Sequence, residues 1–290
     1  MTVVALGMFD GVHIGHRELV CRAVELAAQR GARALIYTYE NHPRAAFGAS
    51  PKLLMSAQER MEALSRLGAQ VVADPFNANY AMQSPEQFAA VLKERFNASV
   101  AVAGFNYGFG HHRSGNIHTL RMLGTQLGFE TVEIAPVHYL GTPVSSSRIR
   151  AVLERGDVGY ATAMLGRPYR MSGEILENRR IGRTIGFPTA NIACTAERVL
   201  PLGGVYATRA LLGGRCYPAV TNIGTNPTVG GRATSIETHI IGYTGDAYGQ
   251  TMAVEFIRYI RGEQKFDGLD ALKAQIARDV ETALGVLGGG

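Results

Sequence analysis

The stretch Gly7-Met8-Phe9-Asp10-Gly11-Val12-His13-Ile14-Gly15-His16 constrains this chain most, because it joins two segments of different periodicity. Thr2 to Leu6 reads as a short buried strand, whereas Leu19, Val20, Ala23, Val24 and Ala27 fall on one face at helical spacing. Gly7, Gly11 and Gly15 therefore lie in a strand-to-helix turn. Free N–H groups and the positive dipole end of the helix favour anions there, and the glycines let a triphosphate come close to the backbone. His13 and His16 can donate to oxygens that gain charge in a transition state. A histidine in such a turn can equally cap the helix or face solvent. His-x-x-His can also bind metal, but no cysteine or third histidine lies at ligand spacing nearby, so zinc is the weaker reading.

The rest of the first half repeats this alternation. The opening helix ends near Arg30 with Gly31 as its cap, and Ala34–Tyr39 follows as a β-branched and aromatic strand. Ser56-Ala57-Gln58-Glu59 is a capping box for a helix with Met61, Leu64 and Leu67 on one face. Ser84-Pro85-Glu86-Gln87 opens another, with Phe88, Val91 and Leu92 inward, and strands are expected near Gln70–Ala73 and Ser99–Ala103. Strand and helix in alternation predict a doubly wound α/β domain whose ligand site lies beyond the carboxyl ends of its strands. Ser145-Ser146-Ser147-Arg148-Ile149-Arg150 can bind phosphate through hydroxyls, N–H groups and an arginine fork; it can also be a plain helix N-cap.

Asp157–Leu165 reads as a short helix, and Gly166-Arg167-Pro168 breaks the pattern, so the domains are placed at 1–166 and 167–290. Beyond the break, short alternating segments near 169–176, 205–211, 216–221, 235–241 and 252–257 are separated by glycine-bearing turns and predict a small antiparallel barrel. Leu269, Leu272, Ile276, Val280 and Leu284 define a closing amphipathic helix. Alternation along Ile236-Glu237-Thr238-His239-Ile240 puts Glu237 and His239 on one face. A strand carboxylate there can be an ordinary solvated group. The run Gly182 to Ile192 reads by itself as a glycine-proline turn between strands.

A length of 290 residues suits two domains, and 46% hydrophobic with 18% charged residues reads as globular. No apolar run approaches the roughly 18 residues of a membrane span, and no basic segment precedes the opening strand, so a cytoplasmic protein without a membrane partner is expected. Cys21, Cys194 and Cys216 form no C-x-x-C pair, which argues against a disulfide framework or zinc ribbon. The net charge of +5 is dispersed, its densest cluster being Arg179, Arg180 and Arg183. Polyphosphate substrates account for it without nucleic acid.

The pattern G-x-F-D-G-x-H-x-G-H over residues 7–16 resembles the signature of HxGH nucleotidyltransferases, and its Phe9-Asp10-Gly11 wording resembles bacterial FAD synthetases. That family joins an FMN adenylyltransferase domain to a riboflavin kinase domain. Gly182-Arg183-Thr184-Ile185-Gly186-Phe187-Pro188-Thr189-Ala190-Asn191-Ile192 is similar to the riboflavin kinase motif, so the resemblance covers nearly the whole chain. It implies a Rossmann-like first domain with His13 and His16 catalytic. ATP and FMN contacts would come from Gly7, Phe9, Asp10, Gly11, Gly15, His42, Asn106, Ser145, Ser146, Ser147 and Arg148. In the barrel it implies ATP and flavin contacts from Gly182, Arg183, Thr184, Gly186, Phe187, Pro188, Asn222 and Arg261. Thr189 and Asn191 would hold Mg²⁺, hard oxygens suiting a hard ion, and Glu237 would be the base for the ribityl 5′-hydroxyl. Asn222 to Val229 resembles a loop near that site.

The implied small molecules are riboflavin, FMN, ATP and FAD; homo-oligomerisation is left open. Asn41 stands where the family commonly has proline, and Pro143-Val144 where some relatives carry a basic residue. Another HxGH nucleotidyltransferase is an alternative that leaves the second half unexplained; a non-catalytic flavin- or nucleotide-binding regulator is the other. Class I aminoacyl-tRNA synthetases share the His-Ile-Gly-His string, but no Lys-Met-Ser-Lys-Ser follows.

Overall fold

In the computed structural model, which describes residues 1–48, 51–176, 186–193, 197–228 and 231–288, β1 (Thr2–Leu6) is buried along its whole length. It pairs in parallel with β2 (Arg33–Tyr39) and β4 (Ala98–Gly104), Val4 standing opposite Leu35 and Ala101. With β3 (Gln70–Asp74) and β5 (Glu130–Ile134) outside them, the sheet order is β3-β2-β1-β4-β5. The two faces of β1 feed two cores. Val3 and Ala5 pack under α1 (Ile14–Gln29) and α2 (Ala57–Ser65). Beyond a single-turn α3 (Ala78–Ala81), α4 (Pro85–Glu94) and α5 (Ile117–Leu127) cover Val4 and Leu6. Each fully buried aliphatic side chain contributes roughly 1.5–3 kcal/mol, so β1 is the rigid spine from which the turn at Gly7 departs.

Local signals act where expected. Ser56 and Ser84 each form a complete capping box, with Glu59 and Gln87 as the reciprocal partners. The chains leaving β1, β2 and β4 emerge on the same edge of the parallel sheet, as the doubly wound topology requires.

The chain forms two compact units, residues 1–146 and 147–290. The division precedes the Gly166-Arg167-Pro168 break because α7 (Val158–Leu165), which follows α6 (Ser146–Leu153), packs against the barrel strands. The Leu202 N–H donates to the Leu153 carbonyl at 3.0 Å.

The second unit is a closed barrel of β6 (Tyr169–Leu176), β7 (Ala190–Ile192), β8 (Gly204–Leu212), β9 (Arg215–Thr228), β10 (Gly231–Ile240) and β11 (Thr251–Arg261), in the order β6-β7-β10-β9-β8-β11. Tyr206, Ile236, Thr238 and Phe256 fill it and are fully buried. Thr208, Thr221 and Thr238 form a hydroxyl chain inside, with oxygens 2.8 and 3.0 Å apart.

Two expectations change here. Asn222 is not in a loop, because β9 continues to Thr228 and pairs with β10 from Ala219 to Thr228; Val229, the end of the expected loop, lies outside the described residues. The closing helix, α8 (Leu269–Gly288), exists, but its buried residues are Asp279 and Ala283; Leu269 and Leu284 are 60% and 44% exposed. The inward face follows the partner offered by the barrel, since Asp279 meets Arg261 at the end of β11.

Candidate functional site

The turn after β1 is short and strained. Phe9 (φ 55) and Val12 (φ 39) are non-glycine residues in the left-handed region, which is costly for a β-branched side chain. The Phe9 ring is fully buried and packs over Gly7, where a Cβ would come within 2.9 Å of it. Gly11 is buried with φ 83.

His13 is the N-cap of α1: its Nδ1 accepts the His16 backbone N–H at 3.3 Å. An accepting Nδ1 puts the proton of the neutral ring on Nε2, leaving a donor at the far edge. The two imidazoles stack with centroids 3.6 Å apart and planes 18° apart, and Phe9 meets His16 edge-on at 5.3 Å. A Cβ at Gly15 would lie 3.3 Å from the His13 ring, a tight contact beside the stack. His13 is buried and His16 half-buried. Among the described residues the His16 Nδ1 has no hydrogen-bond partner. Burial, and then the neighbouring His13, push the His16 pKa well below the ordinary histidine value, which keeps the ring neutral.

Ser146, distant in sequence, joins this turn by donating its hydroxyl to the Asp10 carbonyl at 2.9 Å. The buried Asp10 carboxylate accepts the Leu54 N–H at 3.0 and 3.2 Å, tying the turn to the segment before α2. Ser145 is half-buried just ahead of α6; Ser147 and Arg148 lie in its first turn. His42 and Asn106 stand on the loops after β2 and β4 with local contacts. His42 accepts the Arg44 N–H at 3.2 Å, and the Asn106 carbonyl accepts from Arg113 at 3.2 Å. Asn41, the departure from proline, exchanges two 2.8 Å hydrogen bonds with the Phe76 backbone. Proline has no side-chain amide to make them.

Sequence reasoning missed the groups that brace these loops. Arg60 is 3% exposed and binds the carbonyls of Met8, Tyr39 and Glu40. The available signal was its place four residues before Leu64 on an inward helix face. Tyr37, Tyr80 and Asp74 form a second brace: the Tyr37 hydroxyl lies 2.7 Å from both an Asp74 oxygen and the Tyr80 hydroxyl. Burial raises the Asp74 carboxyl pKa, but hydrogen bonds from Arg95 and Tyr37 outweigh it and hold the group below its usual value.

In the barrel, register assembles what the sequence scatters. Asn191 of β7 pairs with Glu237 of β10, Glu237 with Asn222 of β9, Asn222 with Val205 of β8, and Val205 with Arg261 of β11. These residues form one row on the face opposite the fully buried Ile236 and Thr238. Asn191 is 9% exposed, and its Oδ1 has no hydrogen-bond partner among the described residues. Thr189, half-buried, precedes it by two positions. His239, two residues beyond Glu237, donates from Nδ1 to the Pro188 carbonyl at 2.9 Å and meets the Phe187 ring at 5.3 Å. Gly186 is exposed with φ 85; Gly182, Arg183 and Thr184 lie outside the described residues. Arg261 is held by Asp279 through Nε and Nη2. Among the described residues no group of three or more His, Cys, Asp or Glu could hold a metal ion, and no helix is long and apolar enough to cross a membrane.

The FAD synthetase family model matches residues 1–148 and the riboflavin kinase model residues 165–287. A bifunctional riboflavin kinase/FMN adenylyltransferase of Bacillus subtilis is 34% identical over 291 residues, covering 98% of this chain and 92% of the relative. The Escherichia coli K12 protein of the same name is 34% identical, covering 97% and 91%. A crystal structure described as a macrolide-efflux protein from Streptococcus pneumoniae aligns with a TM-score of 0.89 at 30% identity, covering 97% of this chain and 93% of its own. With both family models and full-length relatives in agreement, the chain belongs to the bacterial bifunctional riboflavin kinase/FMN adenylyltransferase (FAD synthetase) family.

Proposed function

We propose that the chain makes two consecutive transfers from ATP, the barrel phosphorylating riboflavin to FMN and the parallel-sheet domain converting FMN to FAD. Family membership makes it an enzyme of this type. The observation that carries the assignment of residues is segregation. Imidazoles stack in one compact unit, while hard oxygens and a carboxylate share a row in the other. In this reading the adenylyltransferase domain spans 1–166 and the kinase domain begins at 167.

Riboflavin presents an alcohol that stays protonated at neutral pH. Glu237 takes that proton as O5′ attacks the γ-phosphorus, the bond to the β-phosphate oxygen breaks and ADP leaves. Thr189 and Asn191 fit Mg²⁺, because the orphaned Oδ1 of Asn191 is a hard acceptor. The ion supplies neutralisation of phosphate charge when bound. Gly182, Arg183, Thr184, Gly186, Phe187 and Pro188 cradle the nucleotide, and Asn222 borders the flavin side.

FMN presents a phosphate already ionised above its second pKa of about 6, so the second step needs no base. A phosphate oxygen attacks the α-phosphorus, the bond to the β-phosphate breaks and pyrophosphate leaves. The Nε2–H of His13, with His16, donates to oxygens that gain charge, and the α1 N-terminus adds its dipole. Ser145, Ser146, Ser147 and Arg148 hold phosphate oxygens.

The test is to incubate the protein with riboflavin, ATP and Mg²⁺ and resolve FMN, FAD, ADP and pyrophosphate. His16→Ala should preserve FMN formation and slow FAD formation by about 10²–10³-fold, the usual loss for one donor to a charged transition state. Glu237→Ala should slow FMN formation by about 10²–10⁴-fold yet make FAD from added FMN. Equal impairment of both steps in both folded variants would refute the division.

A further inference from the structure

Left-handed backbone at Phe9 and Val12 costs on the order of 1–3 kcal/mol per residue and persists only where surrounding structure holds it. The hold comes from three sides. Asp10 binds the Leu54 N–H, the Thr38 hydroxyl donates to the Met8 carbonyl at 3.3 Å, and Arg60 Nη1 donates to that same carbonyl at 3.2 Å. The other arm of the guanidinium, Nη2, donates to the carbonyls of Tyr39 and Glu40, the latter at 2.9 Å. One side chain thus spans the turn after β1 and the loop after β2, through a planar guanidinium.

Stability alone does not explain a guanidinium in this place. Arg60 is buried, its hydrogen-bond acceptors are peptide carbonyls and the Met8 sulfur, and its Nε has no partner among the described residues. Desolvating such a charge costs several kcal/mol, and apolar packing of similar volume is often as stable or more so. Burial lowers the Arg60 pKa, and the nearby Asp10 carboxylate works against that shift.

We infer that Arg60 is a positioning residue for adenylyl transfer: its guanidinium fork sets the turn bearing His13 and His16 against the loop after β2 by clamping the Met8, Tyr39 and Glu40 carbonyls. The inference rests on reading that turn as the adenylyl-transfer site. It also sets the response to lysine, whose single ammonium restores the charge but cannot reproduce two diverging arms.

The experiment uses the full chain with Arg60→Met and Arg60→Lys, and His16→Ala as reference. FAD formation from FMN, ATP and Mg²⁺ is measured beside riboflavin phosphorylation by the same preparation, which reports intact protein independently of the turn. Arg60→Met should lower kcat for FAD formation about 10- to 100-fold, the penalty for displacing catalytic groups by about an ångström. The KM for ATP should move less than about threefold, and riboflavin phosphorylation should stay within about twofold. Arg60→Lys should recover part of the lost kcat. A purely structural arginine would change the yield or melting temperature of folded protein and leave kcat per folded molecule alone. An unimpaired Arg60→Met beside an inactive His16→Ala would overturn the inference while sparing the site. Full FAD formation by His16→Ala would overturn both. If Arg60→Met fails to fold, Arg60→Lys decides: wild-type kcat refutes the clamp and a reduced kcat at unchanged melting temperature supports it.

Discussion

Replacing Asp279 with asparagine should destabilise the barrel unit by about 2–3 kcal/mol. The carboxylate accepts three hydrogen bonds from Arg261, at 3.0, 3.1 and 2.7 Å, and one from Gln275 at 2.9 Å. Side-chain exposures are 16% for Arg261 and 3% for Asp279, so both charges are largely removed from water. Breaking a buried pair by removing one partner costs about 3–5 kcal/mol. The figure is reduced here because Arg261 reaches the surface, keeps the Gly262 carbonyl at 3.0 Å, and retains a weaker acceptor in asparagine. At about 2–4 °C per kcal/mol for a protein of this size, the melting temperature should fall by about 5–10 °C. Calorimetry gives the shift, and hydrogen exchange along β11 and α8 locates it. Arg261→Met with Asp279→Leu removes both charges and should regain most of the loss. A single-variant shift below about 0.5 kcal/mol, the scale of ordinary surface substitutions, would refute the reasoning. A double variant less stable than Asp279→Asn would do the same.

Because the folded state depresses the His16 pKa, the unfolded chain binds the extra proton first. Stability from this residue is present above the unfolded value of about 6.5 and is lost as pH falls below it; His16→Asn should flatten that slope in urea titrations at about pH 7.5 and 5.5. Thr221→Val removes the middle of a fully buried hydroxyl chain, leaving Thr208 and Thr238 each short of a partner. A loss of about 1–3 kcal/mol in denaturant unfolding is expected, and substituting all three threonines with valine should cost less than three such losses. Gly7→Ala drives a methyl group to within 2.9 Å of the buried Phe9 ring. It should cost about 1–3 kcal/mol and slow FAD formation more than FMN formation in the coupled assay.

Much of the local structure around the candidate site was legible because its signals are local. The glycine-spaced turn between a buried strand and a helix places His13 at the N-cap whatever the rest of the chain does. The boxes at Ser56 and Ser84 start their helices from four consecutive residues each. The alternation around Glu237 likewise separates its face from that of Ile236 and Thr238. Arg60 escaped notice because a charged residue in a helix ordinarily reads as solvent-facing, and no local pattern announces carbonyls arriving from two other loops. Arg261 shows the same limit from the other side: the family resemblance points to the residue, but its commitment to Asp279 depends on how α8 lies on the barrel.

Residue order alone determined most of the elements and the caps that start their helices, since these depend on neighbours within a turn or two of chain. Tertiary structure decided which motifs meet. Closure of the barrel fixes the register that puts Asn191, Glu237 and Asn222 side by side, and the folded sheet brings Ser146 to the Asp10 carbonyl across 136 residues. It also turned α8 so that Asp279 and Ala283 are buried beside Val280, while Leu269 and Leu284 at the ends of the expected stripe stay exposed. The physical reason is common to all three: a one-residue slip in register or a rotated helix leaves local propensity almost unchanged, so only burial and pairing against distant partners choose between the alternatives.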